Sequence, residues 1–154
     1  MSTRSAGILV HRHTSGVLQV LLGHMGGPLW SRKDEAAWSI PKGEYGPEET
    51  AEAAARREFS EELGLPVPDG ELRPLGELRA SSSKVLTIWA LDGDLDVDAV
   101  RPGTFEMQWP PGSGRMQEFP EIDRAAWFDL DTARVKLVKG QRPYLDRLAA
   151  ALTG

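Results

Sequence analysis

The stretch Gly43-Glu44-Tyr45-Gly46-Pro47-Glu48-Glu49-Thr50-Ala51-Glu52-Ala53-Ala54-Ala55-Arg56-Arg57-Glu58-Phe59-Ser60-Glu61-Glu62-Leu63-Gly64-Leu65 decides how this chain folds. Thr50 to Leu63 is rich in strong helix formers. Thr50 suits the N-cap, Gly64 falls at the C′ position, and Pro66 stops continuation. On that helix Glu58, Glu61 and Glu62 are related by i+3 and i+4 steps and share one face. Like charges at such spacings weaken an isolated helix by roughly 0.2–0.5 kcal/mol per pair, so a bound cation is expected to relieve them. Carboxylate oxygens suit hard ions such as Mg²⁺ or Mn²⁺. Ala51, Ala54 and Ala55 leave room one turn earlier, while Phe59 and Leu63 form an apolar stripe for docking on a sheet. Arg57 is read as lying off the carboxylate face, with Glu49 as its candidate ion-pair partner.

Outward from the helix, Ser5 to His11 and Val17 to His24 read as two strands of a hairpin around His13-Thr14-Ser15-Gly16. Gly26-Gly27-Pro28 opens a polar loop holding Trp30, Arg32, Lys33 and Asp34. A short apolar run, Ala37 to Ile40, follows, and Pro41-Lys42-Gly43 reads as a strand end. Beyond the helix, Glu71 to Ala80 and Val85 to Leu91 read as strands joined by Ser81-Ser82-Ser83. The Pro/Gly-rich stretch from Asp92 to Arg124 holds one candidate strand, Thr104 to Trp109, and its length points to function. Ala125 to Phe128 reads as a strand, Asp131 to Val138 as a short helix with an Asp cap, and Arg142 to Leu152 as a terminal helix with Pro143 in its first turn. Hairpins on both sides of one strong helix, without regular βαβ alternation, predict a mixed α/β fold with helices packed on a central sheet. The expected organisation is one domain over residues 1–154.

Composition narrows the chemistry. Eighteen Lys and Arg against 23 Asp and Glu give a net charge of −5, which disfavours nonspecific attraction to nucleic acid or an anionic membrane. An anionic substrate then needs positive charge from elsewhere, and a bound metal ion supplies it. There are no cysteines, which excludes disulfides, thiolate zinc sites, iron–sulfur clusters and cysteine nucleophiles. The first 16 residues lack the long apolar region of a signal peptide, and no stretch approaches the ~20 apolar residues of a membrane span. A cytoplasmic enzyme or binding protein is the expected class.

Gly43, Glu49, Arg57, Glu58, Phe59, Glu61, Glu62, Gly64 and Leu65 match every position of the Nudix box, and on these residues the chain resembles the Nudix hydrolase family. The strands, acidic loop and helices around the box resemble the Nudix α/β/α sandwich. Pro41 to Glu44 and Met107 to Trp127 look like a bacterial subgroup of nucleoside triphosphate pyrophosphohydrolases. The resemblance implies an Mg²⁺- or Mn²⁺-dependent hydrolase that cleaves a nucleoside diphosphate linked to another group. It further implies that Glu58, Glu61, Glu62 and the Lys42 carbonyl hold metal, that one carboxylate deprotonates a water, and that Glu49 and Arg57 form an orienting pair. Relatives add a carboxylate from a later loop, for which Glu106, Glu118 and Glu121 are candidates. Glu121, six residues before Trp127, fits best.

Trp30, Trp38 and Trp109 are candidates to stack a base. Lys42 is a candidate phosphate contact, whereas Arg32 and Lys33 read as solvated loop charge. His11, His13 and His24 have no spacing that suggests a site. Arg79-Ala80-Ser81 stands where ADP-ribose-active relatives place a Pro, and Ser82-Ser83-Lys84 where dinucleoside-polyphosphate relatives often have a Tyr. Trp38 to Gly43 resembles dinucleoside polyphosphate and mutator-type nucleotide-cleaning hydrolases. The resemblance therefore points to a nucleoside triphosphate or dinucleoside polyphosphate, with nucleotide sugars and inositol pyrophosphates as open alternatives, and the expected assembly is a monomer or homodimer. The alternative is a Nudix-fold module that binds a nucleotide or metabolite without turnover. The complete set of box carboxylates weighs against it.

Overall fold

A computed structural model describes residues 3–153. Its frame is a seven-stranded mixed sheet in the order β3–β2–β1–β6–β5, with β4 added to β1 and β9 to β2. β1 (Thr3–Thr14) and β2 (Val17–Met25) form the opening hairpin, and β3 is Trp38–Ser39, β4 Lys42–Glu44, β5 Arg73–Ser81, β6 Lys84–Asp92 and β9 Ile122–Asp129. β7 (Thr104–Gln108) and β8 (Met116–Pro120) make a separate two-stranded ribbon. β1 runs parallel to β6 and antiparallel to β2 and β4.

The hairpin splits, and the split makes the site. β1 pairs with β2 only over His11 to Thr14, while its Ser5 to Gly7 segment pairs with β4. β2 leaves β1 after Val20 and takes β3 at Gly23 and His24. The two short strands thus fill the wedge between the diverging long ones. Pro41 to Gly43, expected as a strand end, follows the end of β3 and runs into a further strand, β4, from Lys42. Lys-Gly-Glu carries no apolar alternation to announce a strand, and its pairing comes from the open edge of β1.

Alternation along β1 and β2 assigns the layers. Ile8, Val10 and Leu21 join Ala54, Ala55, Phe59 and Leu63 of α1 (Ala51–Leu63) in one apolar cluster. Leu9, Val20 and Leu22 join Ala133, Tyr144, Leu145 and Leu148 in the other, beneath α2 (Leu130–Lys136) and α3 (Pro143–Thr153). The result is an α/β/α sandwich. α1 begins at the Thr50 cap, whose hydroxyl accepts from the Ala53 N–H at 3.2 Å, and ends at Gly64 in the left-handed conformation. The Asp92 to Arg124 stretch carries a second strand, β8, besides the expected one, and β9 starts three residues before the expected Ala125. No helix among the described residues is long and apolar enough to cross a membrane.

Candidate active site

The carboxylate face of α1 turns toward β4, because Phe59 and Leu63 anchor the opposite flank on β1. Gly43 permits the approach. A Cβ there would overlap the Glu58 carboxylate, so glycine leaves the space in which that carboxylate lies against the strand. Ile8 donates to the Pro41 carbonyl at 3.2 Å and Tyr45 to the Arg4 carbonyl at 3.0 Å. That register leaves Lys42 at a position whose peptide groups point away from β1. Its backbone favours the ionised Glu62 carboxylate, against the burial that raises it, and its carbonyl lies on the same edge.

Arg57 organises the acidic group. Its Nε and Nη2 donate to the two carboxylate oxygens of Glu49, each at 2.8 Å. Nη1 donates to Glu58 at 2.7 Å and to Glu61 at 3.1 Å. The guanidinium therefore does not stand off the carboxylate face, as the helical spacing suggested, but folds across it. Arg side chains are long enough to cross from a neighbouring helical position, and two carboxylates pull this one over. Its hydrogen bonds hold the Glu49 carboxyl below the usual carboxylate range.

Glu58, Glu62, Glu121 and Lys42 meet in a cleft of about 690 Å³ that opens between β4, the β5–β6 turn and the residues around Gln141. Burial pushes the Glu62 carboxyl up to about 8, helped by the charges of Glu121 and Glu58 and opposed by Lys42. Glu121 is also pushed up, first by burial and then by Glu58 and Glu61, with Lys42 pulling back. Glu61 does not line the cleft: its side chain is 59% exposed and bonded to Arg57, whereas that of Glu58 is 13% exposed. Among the described residues no three Asp, Glu or His side chains are already gathered in a metal-holding geometry. The donors nevertheless suit a hard divalent cation, because mutually repelling, part-buried carboxylates lack the positive charge such an ion carries.

The other candidates separate cleanly. Glu106 and Glu118 face each other across the β7–β8 ribbon, exposed and away from the cleft. Trp109 lies at the far end of that ribbon and lines neither the cleft nor its neighbour. Trp38, expected to stack a base, is 3% exposed. His24 and Phe128 pack edge-on against it at 5.1 and 4.9 Å, and its Nε1 donates to Asp34 at 3.0 Å. It belongs to the core. Trp30 is half-buried and lines a second cavity beside the first. His24 is structural: its ring bonds Asp123 at 2.8 Å and the Lys33 carbonyl at 2.6 Å. Gln141, not singled out from sequence, is buried at the cleft, where its Oε1 accepts from the Ile40 N–H at 2.8 Å and its Nε2 donates to Ser39 at 3.0 Å. Phe105, also missed, lines the second cavity. Topology alone brings both there, and no local pattern marks them.

The sequence model described as NUDIX domain matches residues 1–148. The chain belongs to the Nudix hydrolase family. An RNA pyrophosphohydrolase of Pseudomonas putida is 41% identical over 54 residues, which cover 34% of this Nudix chain and 34% of that protein. The match thus spans about a third of the length of the curated relatives. Among solved structures, a binary complex of the C. elegans Ap4A hydrolase superposes with a TM-score of 0.69 at 22% identity, covering 97% of this chain and 98% of that one. The NUDIX domain of Shewanella oneidensis NrtR complexed with ADP ribose superposes with a TM-score of 0.64 at 14% identity, covering 99% and 89%. At these identities the likeness is one of fold.

Proposed function

We propose that this Nudix hydrolase is a divalent-metal-dependent pyrophosphohydrolase acting on a nucleoside diphosphate linked to another group, with nucleoside triphosphates or dinucleoside polyphosphates as substrates and residues 1–154 working as one domain. The observation that carries this reading is the meeting of Glu58, Glu62, Glu121 and Lys42 in one cleft, with Glu62 raised to about 8. An Ap4A hydrolase among the structural neighbours and RNA pyrophosphohydrolases among the curated relatives support a polyphosphate chain on a nucleoside.

Glu58, Glu61, Glu62 and the Lys42 carbonyl, with Glu121 as the added carboxylate, would hold the Mg²⁺ or Mn²⁺ ions. Bound there, such ions neutralise the diphosphate and make water a better nucleophile. The remaining work falls to the chain. Arg57 keeps Glu58 and Glu61 in position and ties them, through Glu49, to the loop before α1. The Lys42 ammonium adds positive charge beside Glu62 and Glu121, where phosphate oxygens would lie. One of the carboxylates Glu58, Glu61 and Glu62 would accept the proton of the attacking water.

The test is phosphate or pyrophosphate release from nucleoside triphosphates, dinucleoside polyphosphates, ADP-ribose, nucleotide sugars and a 5′-triphosphate RNA, with Mg²⁺, Mn²⁺ or chelator. Strong metal-dependent turnover of one of the first two classes is expected, reduced by orders of magnitude in Glu62→Gln. A Glu62→Gln variant with normal activity at limiting Mg²⁺ refutes the ligand assignment. Folded wild-type protein that binds nucleotide but turns over nothing returns the chain to the binding-module reading.

A further inference from the structure

Gln141 is a buried amide at the wall of the cleft, 4% exposed, and its side-chain hydrogen bonds go to β3 and the residue after it rather than to any carboxylate. It ends a connection that runs from α2 along the outer edge of β3. Ala36 donates to the Val135 carbonyl and Ala37 to the Lys136 carbonyl, each at 3.0 Å. Val138 donates to the Trp38 carbonyl at 2.9 Å, with Trp38 and Leu137 bridged in parallel. In a parallel ladder the next bond joins the Ile40 N–H to the Val138 carbonyl. That carbonyl is instead committed to the 3₁₀ turn Lys139–Gln141, where it accepts from the Gln141 N–H at 3.1 Å. The Gln141 side chain supplies the missing rung. Its Oε1 takes the Ile40 N–H at 2.8 Å, and its Nε2 donates at 3.0 Å to the Ser39 hydroxyl, which itself donates to the Ile40 carbonyl at 2.8 Å.

This rung sits two residues before Lys42. Ile40 is fully buried, so its N–H has no water to turn to if the amide is lost. Pro41 brings no N–H of its own, and its carbonyl accepts from Ile8 of β1 at 3.2 Å. The step from β3 to β4 is therefore pinned from both sides, by β1 at Pro41 and by Gln141 at Ile40. The Pro41 ring also fixes its own φ, so a shift at Ile40 passes on to Lys42 instead of being absorbed between them. The backbone and the ammonium of Lys42 both act on Glu62, so a displaced Lys42 disturbs two donors at once.

We propose that Gln141 is a positioning residue: by completing the outer edge of β3 with its side-chain amide, it fixes Lys42 against the carboxylates and couples the α2–α3 connection to metal affinity. This rests on the reading of Lys42, Glu58, Glu61, Glu62 and Glu121 as the metal-holding set. Gln141 acts through Ile40 and needs no contact with metal or substrate. A Leu in its place fills similar space but offers the Ile40 N–H no acceptor, so packing and positioning can be separated.

The experiment compares wild type, Gln141→Leu, Ser39→Ala, the double variant and Leu148→Ala by Mn²⁺ calorimetry, amide hydrogen exchange and urea unfolding. Leu148 belongs to the apolar layer under α3 and does not line the cleft, so its variant reports what lost stability alone does. Gln141→Leu is expected to weaken Mn²⁺ binding about ten-fold, the usual scale for losing a group that orients a ligand. It should also speed exchange of the Ile40 and Ile8 amides, which hold the β3–β4 step on its two sides. Ser39→Ala loosens the amide, so it should weaken Mn²⁺ binding less than Gln141→Leu does and add nothing in the Gln141→Leu background. Leu148→Ala should lower the urea midpoint at least as far as Gln141→Leu while keeping wild-type Mn²⁺ affinity. Wild-type Mn²⁺ affinity in Gln141→Leu or Ser39→Ala, an equal loss of affinity in Leu148→Ala, or additive losses in the double variant overturns the proposal and leaves the metal reading standing. Folded wild-type protein that binds no Mn²⁺ refutes the metal reading and the coupling with it.

Discussion

Without divalent cations, this protein should lose stability as the pH rises from 5 to 9, and Glu62→Gln should remove most of that loss. Burial, together with Glu121 and Glu58, raises Glu62 to about 8 in the folded chain, against the ordinary value of 4.5. Between those two values the native state keeps a proton that the unfolded chain has released, so ν_U is smaller than ν_N and stability falls with pH. At about 1.4 kcal/mol per pKa unit, full expression of the shift is worth at most about 5 kcal/mol, and roughly 2–5 kcal/mol is expected where the cleft admits water. Glu121, shifted in the same direction, adds to the slope. The assay is urea unfolding of chelated protein across that range, where the midpoint should fall by about 1 M or more at typical m-values. Chelated Glu62→Gln should hold a nearly level midpoint and exceed wild type at pH 8.5. Added Mn²⁺ should restore wild type more than the variant, because ligand binding to the native state is stabilising. A wild-type midpoint that is flat or rises from pH 6 to 8.5 under chelation would refute the argument.

Two further outcomes follow from single side chains. Arg57→Lys keeps the charge but loses the fork that grips both Glu49 oxygens, so turnover at limiting Mg²⁺ should fall about 10–100-fold, with part of the loss recovered at saturating metal; an unaltered Mg²⁺ dependence would count against the positioning role. Trp38→Ala, at a site 3% exposed, should cost about 3–5 kcal/mol in chemical denaturation, whereas Trp30→Ala should cost clearly less; equal losses would contradict the division between core and cleft.

Elements specified by their own residues were legible in sequence. Helix α1 carries its caps, its apolar stripe and its formers within 15 residues, and it begins and ends beside Thr50 and Gly64 as those signals require. The opening hairpin was visible from two apolar runs around Ser15-Gly16. What escaped depends on partners distant in sequence. β4 is a polar tripeptide that becomes a strand because β1 and β2 diverge beside it. β8 lies after the Pro/Gly-rich tip of its ribbon, and only its pairing with β7 makes it extended. Trp38 reads as an aromatic near a loop, and its burial depends on β9 and α2, almost a hundred residues later. The same holds within the site. The Glu49–Arg57 pairing was visible from spacing, while the reach of Arg57 across to Glu58 and Glu61 required the actual rotamer. Of three acidic candidates in the long connection, only Glu121 stands at the cleft, because β9 begins at the next residue and ties it to the end of β2.

A count of charge explains why these residues belong together. Among the described residues, Arg57 binds Glu49, Glu58 and Glu61, and Lys42 offsets the mutual repulsion of Glu62 and Glu121 with Glu58 and Glu61. Arg57 spends its donors on Glu49, Glu58 and Glu61, and Lys42 acts on Glu62 and Glu121. The deficit of positive charge is therefore concentrated at Glu62 and Glu121, where burial has already raised both carboxyls. A proton on Glu62 makes up part of it below about pH 8. A polyphosphate, itself an anion, would deepen the deficit and bind poorly to the chain alone. Divalent cations held there would reverse the sign of the problem: the carboxylates would be neutralised, the Glu62 proton released, and phosphate would meet a cationic floor. Nucleotide affinity should thus depend on metal more steeply than the fold does, since α1 is anchored by Phe59 and Leu63 whether or not the acidic face is compensated.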